Sequence, residues 1–431
     1  MACTIFENRK YEVIAVIGSG ITGLTASWAL NQFREVTLYE KHPEIGMAAF
    51  GAKQMIGGTE VEFDIPFRTI KKDYYPTLFQ VYDRVGIETK VVDYSFRVDS
   101  NNESVFGFFS KNILGFHIGI PTSEVFLSSK GRTIFSDLLK FYANAKADWK
   151  NENPNITILD FLKRYNYSKE FIYEFLLPTF ALVNTCKTET VALYPAETII
   201  GYHSRGYSYT PQETAKFGTR DIVNRMTKGL QHLHLNAKIQ QIVKKGTKTI
   251  IQFESEEKEF EHVILSTQAN QAYHLLGNGF ELEKEILSEF RYESSDVVLH
   301  TDSSYFKNPN VSLVFNIREG YDKPEVTLDL GRIIPELQGK KVFQTWNPHK
   351  LPQESDILKL AKFERPVMDD RTRVAIERIS TLHANPHCKL WLCGSYSLYG
   401  IPLLEAGAKS ALQVIANILN KSVSDIISHQ N

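Results

Sequence analysis

The chain offers little that would assign it to an oxidising compartment, a membrane or a nucleic acid. Only four of its 431 residues are cysteine, Cys3, Cys186, Cys388 and Cys393. Their spacing matches neither a disulfide framework nor a CxxC metal or redox pair, so reduced thiols are expected. Forty-nine basic residues against fifty acidic ones leave a net charge of −1, which provides no field for nucleic acid or an anionic membrane surface. No apolar run approaches bilayer length. The opening "MACTIFENRK" lacks the apolar stretch of a signal peptide, and a cytoplasmic location is expected. In that setting the Asn-x-Thr triplet at Asn155 carries no glycosylation message. Internal repeats, low-complexity tracts and long linkers are also missing.

What is present begins almost at once, in "YEVIAVIGSGITGLTASWAL". The β-branched run Val13 to Ile17 reads as a buried parallel strand, Ile21 to Asn31 as a helix, and Val36 to Tyr39 as a second buried strand. Between the first two, Gly18, Gly20 and Gly23 form G-x-G-x-x-G. The first glycine permits the tight turn, the second lets the backbone approach a pyrophosphate, and the third allows close helix–strand packing. Unpaired N–H groups at the helix start favour phosphate. Glu40, at the end of the second strand, is placed to accept hydrogen bonds from ribose hydroxyls, and its charge argues against the 2′-phosphate of NADP. A second G-x-G-x-x-G and a CxxC, which a pyridine-nucleotide–disulfide reductase would carry, are lacking. A long small-residue loop, "KHPEIGMAAFGAKQMIGGTEVEFDIPF", follows Glu40. A single dinucleotide site beside such a loop favours a retained FAD over NAD.

Further along, "YYPTLFQVYDRVG" has helical apolar spacing and ends on Gly86 as a C-cap. The aromatic and glycine-rich stretch from Val91 to Gly119 suits a hairpin, and Thr133 to Val183 turns helical. "HLHLNAKIQQIVKKGTKTIIQFESEEKEFEHVILST" alternates with period two. So do "SDVVLHTDSSYF", "SLVFNI", "VTLDL" and "KVFQTWN", enough for a separate antiparallel sheet. The chain closes with a strand in "KLWLCGSY" and the helix "EAGAKSALQVIANIL". This order implies an α/β protein with a discontinuous Rossmann-type domain and an inserted α+β substrate domain. The boundaries expected are 1–95, 216–285 and 376–431 for the nucleotide domain, 96–215 for a mainly helical cap, and 286–375 for the antiparallel sheet.

Several stretches carry a family resemblance: "VIGSGITGLTASWAL…VTLYEK", "YYPTLFQVYDRVGIETKVVDYSF", "LNAKIQQI", "FEHVILSTQANQA", "SSDVVLHTD", "WNPHK" with "FERPVMD", and "LWLCGSYSLYGIPLLEAG". Over nearly its whole length the chain resembles the FAD-dependent amine oxidase superfamily. Within it, the chain is similar to a branch of NAD/FAD-binding oxidoreductases associated with cyclopropane-fatty-acid-type lipid modification. The resemblance implies a glutathione-reductase-like FAD domain. In it Gly18, Ser19, Gly20, Ile21, Thr22 and Gly23 would hold the pyrophosphate, and Glu40 with Lys41 would face the adenosine ribose. Ile239 would contact the adenine through its backbone with Thr267 nearby, and Gly394 and Ser395 would approach the ribityl-phosphate side. Leu403, Leu404 and Glu405 would place N–H groups at the flavin N1–C2=O edge, where a helix start stabilises negative charge. The chain departs from the family pattern in three places. Met47 and Ala48 stand where a Gly-Gly-Arg or Gly-Gly-His segment is usual. "DIPF" replaces Asp-x-Gly-Phe, and "PLLEAG" replaces His-Glu-Asp-Gly, so an active-site histidine of relatives is missing.

Candidates for chemistry are fewer. "DIPFRT" is expected at the flavin face through Phe67 and Arg68. Arg68 would pair either with a substrate carboxylate or with a structural acid. Tyr396 and Tyr399 either line the pocket or pack, and His117 and His300 either titrate near neutrality or serve structure. "HLH" at His232 and His234 lies in an alternating strand and no metal site is expected. Cys393 is close to the expected flavin end but reads as a buried strand residue rather than a covalent link. Aromatic and aliphatic residues of "VFGFFSKNILGFHIGI" and "FIYEFLLPTFALV" either form the core of the cap or line an apolar tunnel.

The function these features favour is an FAD-dependent oxidoreductase. It would transfer hydride from a C–H bond of an apolar, fatty-acyl or carboxylated small molecule to flavin N5. A redox-neutral, FAD-dependent isomerase of polyunsaturated fatty acids is the alternative, followed by a true amine oxidase and a flavoprotein without catalysis. Oligomeric state is left open by the sequence.

Overall fold

Three stretches far apart in the chain make one parallel sheet. A computed structural model describes residues 14–113, 116–203, 211–307 and 310–429; Cys3 and Val13 lie outside the described residues. The strand order is His232–His234, Val36–Tyr39, Ile14–Ile17, His262–Leu265 and Leu390–Leu392, with every neighbouring pair parallel. Ile14–Ile17, Val36–Tyr39 and Leu390–Leu392 are buried throughout, as strands covered on both faces must be. On one face lie the first helix, Ile21–Asn31, and the long C-terminal helix, Leu404–Leu419. They approach so closely that a Cβ on Gly407 would lie 2.8 Å from Ile21 Cγ2. On the other face Tyr39 packs against Phe253 and Phe260. Both belong to an antiparallel meander of Ile239–Lys245, Lys248–Phe253 and Glu257–Phe260. The two ends of the chain therefore fold together into one discontinuous nucleotide-type unit.

An eight-stranded sheet forms the second layer. Its order is Ile357–Pro366, Tyr292–His300, Phe343–Trp346, Glu325–Asp329, Leu313–Ile317, Phe96–Ser100, Glu103–Ile113 and Phe116–Pro121. All pairs are antiparallel except Leu313–Ile317 with Phe96–Ser100. Register aligns Phe315, Val326, Trp346, Val297 and Ala361 across one face, the row that looks toward the nucleotide unit. The strands 96–121, grouped with the cap in the sequence reading, thus share a sheet with 292–366. That link is a parallel pairing between segments more than 200 residues apart in the chain, which no local periodicity encodes. Helices occupy 123–203 and form the cap, whose interior is aromatic: Phe141, Phe161, Phe171 and Phe180 are fully buried. Phe106 of the sheet meets Phe175 of the cap at 4.7 Å between ring centres. No helix among the described residues is long and apolar enough to cross a membrane.

One joint in this core is sensitive to acid. His383 Nε2 accepts a hydrogen bond from the Leu392 N–H at 3.1 Å, so only the neutral ring fits. Burial pushes its pKa down to about 4. His300, buried and bonded to Thr345 Oγ1 at 2.8 Å, is also pushed down to about 4. Because the unfolded value is about 6.5, the stability held by these neutral rings is complete above that pH and is lost as pH falls toward 4. Urea unfolding of wild type and His383→Gln between these limits should give converging curves, since glutamine can accept the same bond without titrating. Parallel curves would rule His383 out as the source.

Candidate functional site

The glycine turn is assembled as its spacing requires. Gly18 adopts φ +97°, a left-handed conformation that favours glycine, while its N–H donates to Tyr39 O at 2.8 Å. Gly23 lies so near the first strand that a Cβ there would sit 1.8 Å from Gly18 O. Gly20 is the opposite case: a Cβ would meet nothing within 4 Å. It opens onto free space at the start of helix Ile21–Asn31, whose N-terminus has no side-chain cap.

Glu40 is 5% exposed and organises the turn from below. Its Oε2 accepts from Ser19 N at 3.0 Å and Ser19 Oγ at 2.5 Å, and among the described residues its Oε1 accepts only from His42 N at 2.9 Å. Ser19 Oγ in turn accepts from Gly46 N at 2.6 Å. Oε1 retains acceptor capacity for a further donor. The segment leading to Ile239 is held beside Glu40, with Ala237 N donating to Glu40 O at 2.8 Å. Lys41 is exposed.

A cavity of about 360 Å³ runs between this turn and the eight-stranded sheet. Gly20, Ile21 and Thr22 line it beside the glycine turn, and Thr267, Gly394, Ser395, Leu403 and Leu404 also lie in its wall. Helix Leu404–Leu419 likewise starts without a side-chain cap, so two helix N-termini open on the same space. Gln268 Oε1 and Tyr396 OH border it as buried polar atoms without a hydrogen-bond partner. The Glu405 side chain turns elsewhere: its two oxygens accept from Thr77 N at 3.1 Å and Leu78 N at 3.0 Å. It caps helix Pro76–Val85, a role that the sequence did not disclose.

Phe67 and Arg68 face the cavity, and their loop is fixed to the sheet. Fully buried Gln344 accepts from Phe67 N at 2.7 Å and donates to Asp64 O at 3.1 Å. Arg68 donates to Thr219 Oγ1 at 3.0 Å and Met47 O at 3.4 Å. Burial depresses its pKa, against the opposing pull of nearby Asp64. Of the two tyrosines, Tyr396 lines the cavity and Tyr399 does not; Tyr399 OH accepts from Arg373 Nη2 at 2.5 Å beneath the stacked guanidinium. Cys393 is fully buried against Ser410, its thiol pushed up to about 12 by burial. His300 belongs to a Thr345–Thr327 hydroxyl chain, His117 lies 3.4 Å from Ser110 Oγ, and His232 pairs with Glu35. His234 stacks on Tyr39. No group of His, Cys, Asp and Glu among the described residues could hold a metal ion.

The remaining wall comes from residues that sequence reasoning passed over: Tyr75, Tyr202, Trp346 and Arg365 among them. Arg365 falls in "FERPVMD", a stretch read only for its family resemblance. From the cap, Leu182, Val183 and Tyr202 reach the cavity, and none of residues 105–111 and 117–120 does. Of the aromatics there, Phe106, Phe108 and Phe109 serve packing; 112–116 lie outside the residues whose side chains are described.

By sequence, residues 16–85 match the model of the NAD(P)-binding Rossmann-like domain. No curated protein matches the chain. By structure the chain is similar to putrescine oxidase bound to putrescine, with a TM-score of 0.64 and 11% identity over 95% of this chain and 99% of that one. It is similar to a fatty acid isomerase from P. acnes that produces CLA, at 0.65 and 13%, covering 94% and 98%. A putative protoporphyrinogen oxidase from Exiguobacterium gives 0.64 and 12%, covering 95% and 99%. At 11–13% identity these likenesses are of fold alone.

Proposed function

We propose that the cavity binds FAD and that the chain is an FAD-dependent oxidoreductase acting on an apolar small molecule, as a member of the lipid-associated branch that its sequence resembles. The observation that carries the proposal is the continuity of the cavity from Gly20, where the backbone leaves open space at one uncapped helix start, to Leu403 at another. A dinucleotide needs the first for its pyrophosphate, and a flavin uses the second for the negative charge of its N1–C2=O edge. Glu40 Oε1, outside the residues that line the cavity, keeps acceptor capacity for ribose, and Thr267, Gly394 and Ser395 lie in the cavity wall.

Bound there, FAD supplies a two-electron acceptor for a hydride leaving a C–H bond. The chain does the rest. Phe67, Trp346 and Tyr202 displace water from the reacting face, and the Gln344 clamp keeps Phe67 in place. Two arginines, Arg68 and Arg365, against one acid, Glu364, border the site, which suits a neutral or anionic substrate better than a protonated amine and sets the amine-oxidase reading lower. The same cavity would serve a double-bond isomerase.

Purified protein should be yellow, or take up FAD stoichiometrically, and anaerobic titration with fatty acids, acyl esters and amines should bleach the flavin with one class. Product mass identical to substrate, formed without an acceptor, would transfer the assignment to isomerase. Failure to take up FAD at all would end the proposal.

A further inference from the structure

We infer that Arg365 is the anchor for the carboxylate of an apolar monocarboxylic ligand, held at the cap side of the cavity; the inference rests on the functional reading above. Arg365 lies on strand Ile357–Pro366, where Ala361 pairs with Val297, Phe363 with Ser295, and Arg365 with Glu293. That register puts Ala361, Phe363 and Arg365 on the inner face. Of the alternate positions, Lys362 and Glu364 are exposed; Glu364 also borders the cavity, its carboxylate accepting from Asn270 Nδ2 at 3.2 Å.

The guanidinium donates to Val183 O. Its strongest electrostatic neighbours are the phenols of Tyr75, Tyr194 and Tyr202 and the thiol of Cys186, all neutral at pH 7. Glu293, its partner across the ladder, is committed elsewhere: its oxygens accept from Lys187 N at 2.8 Å and Thr190 Oγ1 at 2.6 Å. Arg365 is half-buried, and a guanidinium partly withdrawn from water without an acid is left uncompensated unless something anionic completes it. A carboxylate does so with two parallel N–H···O bonds. Arg68, the candidate suggested by the sequence, is a poorer host because Thr219, Met47 O and Asp64 already engage it. Around Arg365 the wall continues through Leu182, Val183, Leu313, Val326 and Leu328. The anion it accepts should therefore carry an apolar tail.

Octanoate and its uncharged counterpart octanamide are the probes, titrated calorimetrically into the full chain as purified and after FAD loading, with flavin content read separately by absorbance. Wild type should bind octanoate at least about tenfold more tightly than octanamide. Arg365→Met should erase that preference by weakening octanoate alone, and Arg365→Lys should restore part of it. Equal affinity for the two probes in wild type, binding of neither, or an Arg365→Met protein that still prefers octanoate would overturn the inference. So would an equal loss of preference in Arg68→Met but not Arg365→Met. If Arg365→Met does not fold, the discrimination by wild type decides. A chain without flavin that prefers octanoate would sustain the role of Arg365 while ending the flavin proposal.

Discussion

Gly23→Ala is expected to yield a protein that holds no flavin and is destabilised by about 3 kcal/mol or more, at the upper end of what overpacking costs. The added methyl would meet Gly18 O at 1.8 Å and Ser266 Oγ at 2.6 Å. The first of these is backbone, so no side-chain rotation relieves it. The helix must retreat from the strand, and the turn between them opens. Gly20→Ala is the matched control. Its backbone angles, φ −66° and ψ −177°, suit alanine, and its methyl would meet no protein atom within 4 Å. The apoprotein should therefore melt as wild type does, while FAD affinity falls at least about tenfold because the methyl enters the space of the pyrophosphate. Flavin retention and apoprotein melting, measured on both variants, separate damage to the fold from damage to the site. Full flavin content in Gly20→Ala would show that no pyrophosphate lies against this turn.

The second large effect is expected at Glu40. Substitution by leucine removes the acceptor for a ribose and strands Ser19 N, Ser19 Oγ and His42 N, three donors that Glu40 now satisfies. Hydrogen bonds to a charged group are worth about 1.5–3 kcal/mol each, so the loss of one weakens FAD binding by about 10- to 100-fold and the loss of two by about 100-fold or more. Glu40→Gln keeps the size and should fall between. Fluorescence titration of the apoprotein with FAD and with FMN provides the contrast, because FMN has no adenosine for Glu40 to recognise. FAD affinity should collapse while FMN affinity moves little. Retention of wild-type FAD affinity by the glutamine and leucine variants would reduce Glu40 to a brace for the Ser19 turn.

These two experiments probe what was most legible in the sequence, and the reason is locality. Gly18, Gly20, Gly23 and Glu40 act within one strand–turn–helix–strand unit, where spacing and glycine positions already dictate geometry. Gly86 ends its helix at φ +77°, as its place after "YDRV" implies. The buried strands Ile14–Ile17 and Val36–Tyr39 follow from unbroken apolar runs. Less could be read where partners are remote. Glu405 looked like a cofactor neighbour at the start of a helix, yet its carboxylate crosses to Thr77, in another helix 328 positions away. Tyr396 and Tyr399 are three residues apart and equivalent in sequence terms, but only the first faces the cavity. The helical spacing of the cap said nothing about which residues would point inward.

By itself, then, the sequence determined a dinucleotide cradle, its acidic partner and a nucleotide unit closed by both ends of the chain, since short-range spacing and apolar periodicity carry that information. Tertiary structure alone decided what faces the cradle. Strand register brings Arg365 inward and turns Glu293 toward the cap, and the Gln344 clamp sets Phe67 against the cavity. Such pairings join segments separated by tens to hundreds of residues, and their chemistry arises only when folding removes water from between them.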